Sequence, residues 1–445
     1  MDKRKYMDTL KEQIRYQKAI PGIEREIEAH IEDQKVDYLA SGMTEQEAEE
    51  AAVLEMGDPV AVGVEMDRIH RPKMDWKLIA LVGALYFAGL VLRYFLYTRQ
   101  EMGIYAANTW IYYLLGFLTM LGICYLDYSR IGERARELTI GLFLLLMAGI
   151  YVGGTMINGS RWFISVGGFG ALNIKVLVLL FVPLYGAILY RFRGEAYWAV
   201  LKALLWMLPM LATLWISRQI AQAFFLSIIC LLVLGYAVCS DWYRVNKKWT
   251  VCGLAVIGIL IPILCGSVIW KFSAVYQQER LQALLPPYAP EIAGKMELFR
   301  NAVAESEFTG RSVRAMEQLE RYGDMDYMLA YIISFYGILA AVLLISFIAL
   351  LLFRLAQNTV RQKNQLGRIM GTGCILILAG QFLLSVLGNL GLQPYGEGYC
   401  PFLSVGGSGA VVTGVLLGIL FSIYRYQNVV AEPEVKKRSK KKAVG

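Results

Sequence analysis

Histidine is all but missing from this 445-residue chain. The two present, His30 and His70, fall in the polar N-terminal region, so no imidazole is available for catalysis or metal binding in the long apolar remainder. Cysteine is sparse as well: seven residues (Cys124, Cys230, Cys239, Cys252, Cys265, Cys374, Cys400) lie in or beside apolar runs, with no C-x-x-C spacing. The odd total and the spacing argue against a disulfide framework or a zinc site, and the thiols read as small buried apolar groups. Charge is scarce, at 18% of residues against 57% hydrophobic, with a mean hydropathy of +0.46. That balance excludes an ordinary soluble domain and fits an all-α, polytopic membrane protein. Residues 1–75 lack any apolar run, which excludes a signal peptide or a span there.

Three segments of different character follow one another. Residues 1–75 are highly charged and repeat apolar positions at helical spacing, through Tyr6, Leu10 and Ile14 and again through Ile23, Ile27 and Ile31, with breaks at Pro21 and Gly42. A third helix is expected to open at Thr44-Glu-Gln-Glu47, a capping-box spacing, and a fourth at Asp58-Pro59. From residue 76 to 427 run ten apolar segments long enough to span, since a hydrocarbon core of ~30 Å needs ~20 helical residues. They centre near Phe87, Leu118, Leu146, Leu180, Trp206, Cys230, Leu260, Leu343, Leu378 and Val415. The remainder, 428–445, carries the basic run Lys436-Lys-Arg-Ser-Lys-Lys-Lys442.

Charges between the spans give an orientation. The loops that share one side hold Arg130, Arg134, Arg136, Arg191, Arg193, Arg244, Lys247, Lys248, Arg354, Arg361, Lys363 and Arg368, whereas the opposite short loops hold Arg99, Arg161 and Arg218. Twelve against three is a positive-inside bias that puts both termini in the cytoplasm. The basic tail then either lies on anionic lipid or is a solvated terminus that only helps topology. The net charge of +8 accordingly speaks of a membrane surface and not of nucleic acid.

Two connections stand out. Residues 271–326, on the outer side of this topology, form a connection of mixed charge with the break Leu285-Pro-Pro-Tyr288, and loops of that length are uncommon unless functional. The stretch Asn389-Leu-Gly-Leu-Gln-Pro-Tyr-Gly-Glu-Gly-Tyr-Cys-Pro-Phe-Leu-Ser-Val-Gly-Gly-Ser408 sets an almost uncharged Gly/Pro-rich loop between two apolar segments. Irregular backbone is not tolerated against lipid, so this loop should line a cavity or pack against protein.

Several separated motifs, in order, carry a resemblance. Asn158-Gly-Ser-Arg-Trp162, Tyr276-Gln-Gln-Glu-Arg280 followed by Leu285-Pro286, Asp326-Tyr-Met-Leu-Ala330 before Gly337, Gly388-Asn-Leu-Gly391 and Pro401-Phe-Leu-Ser-Val-Gly-Gly-Ser408 resemble the SEDS family (shape, elongation, division and sporulation; FtsW, RodA and SpoVE type). The last is the most specific, against the family's Pro-Phe-Leu-Ser-Tyr-Gly-Gly-Ser. In the N-terminal segment, Met56-Gly-Asp-Pro59 resembles the small permease-prefix, or HAAS-like, domain found ahead of some bacterial membrane proteins. The chain also departs from the SEDS pattern. Ala171-Leu-Asn-Ile174 lacks the glutamate that precedes the family's lysine, Arg218-Gln-Ile-Ala-Gln222 lacks a carboxylate, and a Gly-rich turn is reduced to Phe308-Thr-Gly-Arg311.

The resemblance implies a ten-span protein of the bacterial cytoplasmic membrane that polymerises lipid II at the outer face, in division, cell-shape or sporulation wall synthesis. It implies Asp326 as catalytic base, and Arg161, Lys175, Arg280, Ser404, Gly406, Gly407 and Ser408 around the substrate. A class B penicillin-binding protein is the implied partner, since the chain has no transpeptidase motif of its own. A divalent cation at the diphosphate is compatible with this chemistry, though no dedicated ligand cluster is visible. Each residue also has a plainer reading. Asp326 opens a helix, where aspartate caps, and its neighbour Asp324 reads as a solvated loop residue. Lys175 stands where lysines snorkel, Arg280 sits in a charged loop, and Gly406, Gly407 and the serines suit close helix packing. Two other functions stay open at this point: a scaffold or signalling protein without catalysis, favoured by the missing carboxylates, and a lipid-precursor transporter, disfavoured by the few ionisable residues in the spans.

Overall fold

The computed structural model describes residues 2–99, 103–157, 160–165, 171–272, 290–322, 327–393, 399–403 and 406–429. It opens with four helices: α1 (Lys3–Glu12), α2 (Ile20–Ala40), α3 (Glu45–Glu55) and α4 (Pro59–His70). Tyr6, Leu10 and Ile14, like Ile23, Ile27 and Ile31, belong to the buried core, all nearly inaccessible to solvent. The expected boundaries are found. Thr44 and Glu47 form a reciprocal capping box at α3, and Asp58 accepts the Val60 and Ala61 N–H groups ahead of Pro59. Pro21 sits in the first turn of α2, and Gly42 turns the chain after it at φ +96°.

The apolar remainder is helical. Among the described residues, eight helices are long and apolar enough to cross a membrane, and the described residues Trp110–Tyr125 form a shorter apolar helix. In chain order the bundle contains α5 (Trp76–Arg99), α6 (Gly103–Tyr125), the short α7 (Tyr128–Glu133), α8 (Ala135–Gly153), α9 and α10 (Ile174–Leu177 and Phe181–Arg191), α11 and α12 (Tyr197–Leu205 and Leu208–Ile216), α13 (Ile220–Cys239) and α14 (Lys247–Phe272). After the long connection come α17 (Met328–Tyr336), α18 (Ile338–Val360), α19 (Gln365–Asn389) and α20 (Gly407–Arg425). Nine of the ten expected centres fall inside helical segments. The tenth, Trp206, lies in a turn between α11 and α12, because Pro209 has no N–H for the Leu205 carbonyl and the helix restarts around it. A 3₁₀ turn, Val178–Leu180, interrupts the fourth span four residues before Pro183 becomes part of α10.

The eighth span also differs from expectation. Asp326 was expected to open it, but the spanning helix starts at Ile338, and α17 precedes it as a separate, almost wholly buried helix. Gly337 makes the break at φ +94°, and a Cβ there would lie 2.7 Å from the Phe308 carbonyl oxygen. That approach lets the turn Phe308-Thr-Gly-Arg311 dock on the junction. Ile338 N–H and Leu339 N–H donate to the Glu307 and Phe308 carbonyls, while Gly310 N–H and Ser312 N–H donate to those of Tyr336 and Ser334. The described part of the long connection is itself folded, as α15 (Pro290–Ala304) and α16 (Val313–Tyr322), both packed on α17.

The four N-terminal helices contact one end of the bundle. Lys18 pairs with Asp127, His70 Nδ1 lies 2.8 Å from the Asn428 carbonyl oxygen, and Lys73 N–H donates to the Arg425 carbonyl. At the opposite end lies a small antiparallel sheet in the order β1-β2-β3 (Gly154–Ile157, Ser160–Ser165, Ala171–Asn173).

Candidate functional site

The sheet leads straight into the fourth span, and that continuity sets Lys175. Asn173 ends β3 and caps α9, its side-chain oxygen accepting the Lys175 N–H at 2.9 Å. The Lys175 amine then lies 3.9 Å from the centre of the Trp162 ring on β2, a cation–π contact that holds it at the sheet and away from a free lipid-facing pose. Arg161, beside Trp162 on the central strand, is half-buried. In the motif that lacks a carboxylate, Gln222 of α13 donates to the Lys175 carbonyl at 3.3 Å, and Arg218 takes a left-handed backbone at φ +56°.

The same turn meets the signature. Asn173 N–H donates to Ser408 Oγ at 3.0 Å, which joins β3 to the first turn of α20. Gly406 precedes that helix at φ +110° and provides no side-chain cap, so the first N–H groups of a 19-residue helix are not met by a capping side chain at Gly406. Gly407 is required by Tyr112, whose ring a Cβ would approach to 2.7 Å. An open helix N-terminus a few residues from a lysine is suited to an anion, and to a phosphate in particular.

A second junction positions the helix that follows Asp326. Asn389, at the end of α19, accepts the Ala330 N–H at 2.9 Å and donates to the Ser385 carbonyl at 2.8 Å. Gly391, at φ +66°, lets α15 come close, since a Cβ there would lie 2.3 Å from the Met296 carbonyl. Phe299 of α15 stacks on Tyr327 at 4.1 Å, and Tyr331 OH donates to the Leu319 carbonyl. Tyr327 is the N-cap of α17 and makes no side-chain cap bond. The Ala330 N–H, the donor at the third helical position that a capping side chain at Tyr327 would take, is satisfied by Asn389.

The structure therefore brings together Lys175, Gly406, Gly407 and Ser408, with Arg161 on the adjoining strand. Asp326, Arg280 and Ser404 lie outside the described residues, as do Asp324 and the basic tail. Among the described residues no group of three or more His, Cys, Asp or Glu side chains could hold a metal ion. Sequence reading missed Arg93, a buried arginine of α5 whose Nη2 donates to the Leu403 carbonyl at 2.7 Å. Its signal was available, because it is the one ionisable residue well inside the first apolar segment.

Comparison with known proteins places this architecture. The model of the FtsW, RodA and SpoVE family, described as cell cycle protein, matches residues 72–429. A probable peptidoglycan glycosyltransferase FtsW of Xanthomonas oryzae pv. oryzae is 24% identical over 311 residues, which are 67% of this chain and 61% of that protein. Among solved structures, the chain is similar in fold to one described under structural coordination of polymerization and crosslinking by a peptidoglycan synthase complex. The TM-score is 0.64 at 22% identity, over 79% of this chain and 98% of that one. The rod shape determining protein RodA of Thermus thermophilus is similar with a TM-score of 0.55 at 19% identity, over 80% of this chain and 97% of that one.

Proposed function

The chain belongs to the FtsW, RodA and SpoVE family of cell cycle proteins, and from that membership we propose that this integral membrane protein is a peptidoglycan glycosyltransferase. It polymerises lipid II on the membrane face opposite the N-terminal helices, with both termini cytoplasmic by the charge bias of the loops. The observation that carries the reading is the bond from Asn173 N–H to Ser408 Oγ. It unites a lysine and an open helix N-terminus, two groups of the kind that stabilise a departing diphosphate.

In the proposed reaction the 4-hydroxyl of the acceptor sugar attacks the anomeric carbon of the donor, with inversion. Asp326 takes the hydroxyl proton as general base, and the bond to undecaprenyl diphosphate breaks. Lys175, the N–H groups that open α20, and the cations Arg161 and Arg280 meet the negative charge, Lys as a point charge and Arg as a fork. Gly406 and Gly407 line the same place, and the resemblance adds Ser404 to it. A divalent cation belongs to this proposal as a companion of the substrate's phosphate oxygens, given the lack of a carboxylate cluster among the described residues. A class B penicillin-binding protein is the proposed partner, consistent with fold similarity to a component of a peptidoglycan synthase complex. The basic tail is proposed to rest on anionic lipid.

The decisive experiment is polymerisation of lipid II by detergent-purified protein, with any class B transpeptidase encoded beside it, for wild type and Asp326→Ala. Glycan chains from wild type alone support the reaction and its base. A second reading, a SEDS-type scaffold without catalysis, is favoured by one specific observation: Gln219, at the place of the family's missing carboxylate, is an amide whose Nε2 donates to the Ser217 carbonyl at 3.3 Å. Polymer from neither protein, despite intact folding and partner binding, selects that reading.

A further inference from the structure

The signature turn is gripped from the first span of the chain. Tyr86, Gly89 and Arg93 follow one another at i, i+3 and i+7 on α5, and so share one helix face. Phe402 lies against that face in a left-handed backbone conformation, φ +72°, which is uncommon for a bulky residue. The Tyr86 ring meets Phe402 edge-on at 5.3 Å, and its hydroxyl donates to the Ala410 carbonyl at 3.2 Å. Gly89 makes room for the Phe402 carbonyl, which a Cβ would approach to 2.3 Å. That carbonyl accepts the Tyr113 hydroxyl from α6 at 2.9 Å, and the next carbonyl, Leu403, accepts Arg93 Nη2 at 2.7 Å.

Two consecutive carbonyls bound by side chains from two different spans fix both the position and the rotation of the turn. A bond from a charged donor is about twice as strong as a neutral one, and burying a guanidinium in a span is costly enough that its partner must matter. Leu403 is three residues from Gly406, where α20 begins its approach.

We infer that Arg93 is a positioning residue for the proposed reaction: through the Leu403 carbonyl it sets the Pro401–Leu403 turn, and with it the open N-terminus of α20, where the diphosphate of the donor binds. This rests on the glycosyltransferase reading for its substrate, but not for its geometry. The turn is a rigid part of the substrate site because an arginine from the opposite end of the sequence holds it.

The test uses the full-length protein and two readouts, hydrogen exchange of the backbone over 399–410 and lipid II polymerisation, for Arg93→Met, Arg93→Lys and Tyr113→Phe. Arg93→Met is expected to speed exchange over 399–410 at least tenfold, and to raise the KM for lipid II at least tenfold while kcat changes less than threefold. Arg93→Lys, which keeps a charge and a donor, is expected to recover most of both. Tyr113→Phe, a mild change, is expected to shift both in the same direction and by less. If Arg93→Met does not fold, the Lys and Phe variants give the same two readings and decide the matter. Unchanged exchange in the variants, or a fall in kcat with KM unmoved, overturns the inference. A wild type without polymerase activity defeats the functional reading alone, because the exchange measurement still decides the role of Arg93.

Discussion

The two ends of α20 are held by different physics. Its signature end is fixed by close approach and buried bonds: Gly407 under Tyr112, Ser408 bonded to the Asn173 N–H, and the Ala410 carbonyl bonded to Tyr86. Its other end adds ties that reach water to buried bonds from Gln362 to the Ile423 carbonyl and from Tyr128 N–H to Ser422 Oγ. Arg425 lies over the Tyr125 ring at 4.1 Å, Tyr426 donates to the Tyr125 carbonyl, Tyr16 packs on Tyr426, and Lys18 pairs with Asp127 nearby. Interactions of the first kind are insensitive to salt, whereas partly exposed ion pairs are screened by it. The comparison teaches that the signature end of the helix is built to stay put, and the end carrying the N-terminal helices has ties that salt can adjust.

The comparison can be broken most severely in the middle of the helix. A Cβ on Gly414 would lie 2.2 Å from the Gly116 carbonyl, so Gly414→Ala forces α6 and α20 apart. The expected loss is about 3 kcal/mol, read as a lower thermal midpoint in detergent. Next comes Asn389→Ala, which removes the side-chain acceptor of the Ala330 N–H and leaves it the Tyr327 carbonyl alone, at an expected cost of about 1.5 kcal/mol. Exchange over 328–336 should rise, and polymerisation should fall with it.

At the adjustable end, Asp127→Asn keeps the cap on Ser129 N–H but removes the charge facing Lys18. A cost of about 1 kcal/mol or less is expected. Wild-type release of the N-terminal helices, followed by limited proteolysis, should increase with salt, and that salt dependence should vanish in the variant. Burial, followed by the nearby Tyr426 and Asp127, pushes the Tyr16 hydroxyl up to about 12 from 10.0. Docking keeps this phenol protonated, so its contribution is complete below pH 10 and is lost as pH rises to about 12. Proteolytic release should therefore climb across that window, and Tyr16→Phe should flatten the climb. Smallest in reach is Thr44→Ala, which removes the capping box of α3; about 1 kcal/mol is expected, confined to the four N-terminal helices.

Much of this was legible in the sequence. The capping box, the apolar repeats of the first helices and nine of ten span centres depend on local sequence pattern, which a single chain displays. Trp206 does sit at the centre of a span, Tyr197–Ile216, but a window of apolar residues does not register the turn that Pro209 makes there. The eighth span misled for a related reason, since an apolar run reads straight through Gly337 although its φ of +94° ends one helix and starts another. The lysine and the signature glycines were recognisable by motif. Their meeting was not, because the bond from Asn173 to Ser408 spans 235 residues of sequence. Asn389 was visible only as part of a motif, and its service to Ala330 is a fact of packing.

The bond between Arg93 and Leu403 joins residues 310 positions apart. The first span is made early and its acceptor arrives with the last hairpin, a delay of roughly 15 to 60 s at ordinary rates of synthesis. Throughout that interval the bond that holds the signature turn is unmade. The hold on the signature turn is therefore completed only when the last hairpin has been made.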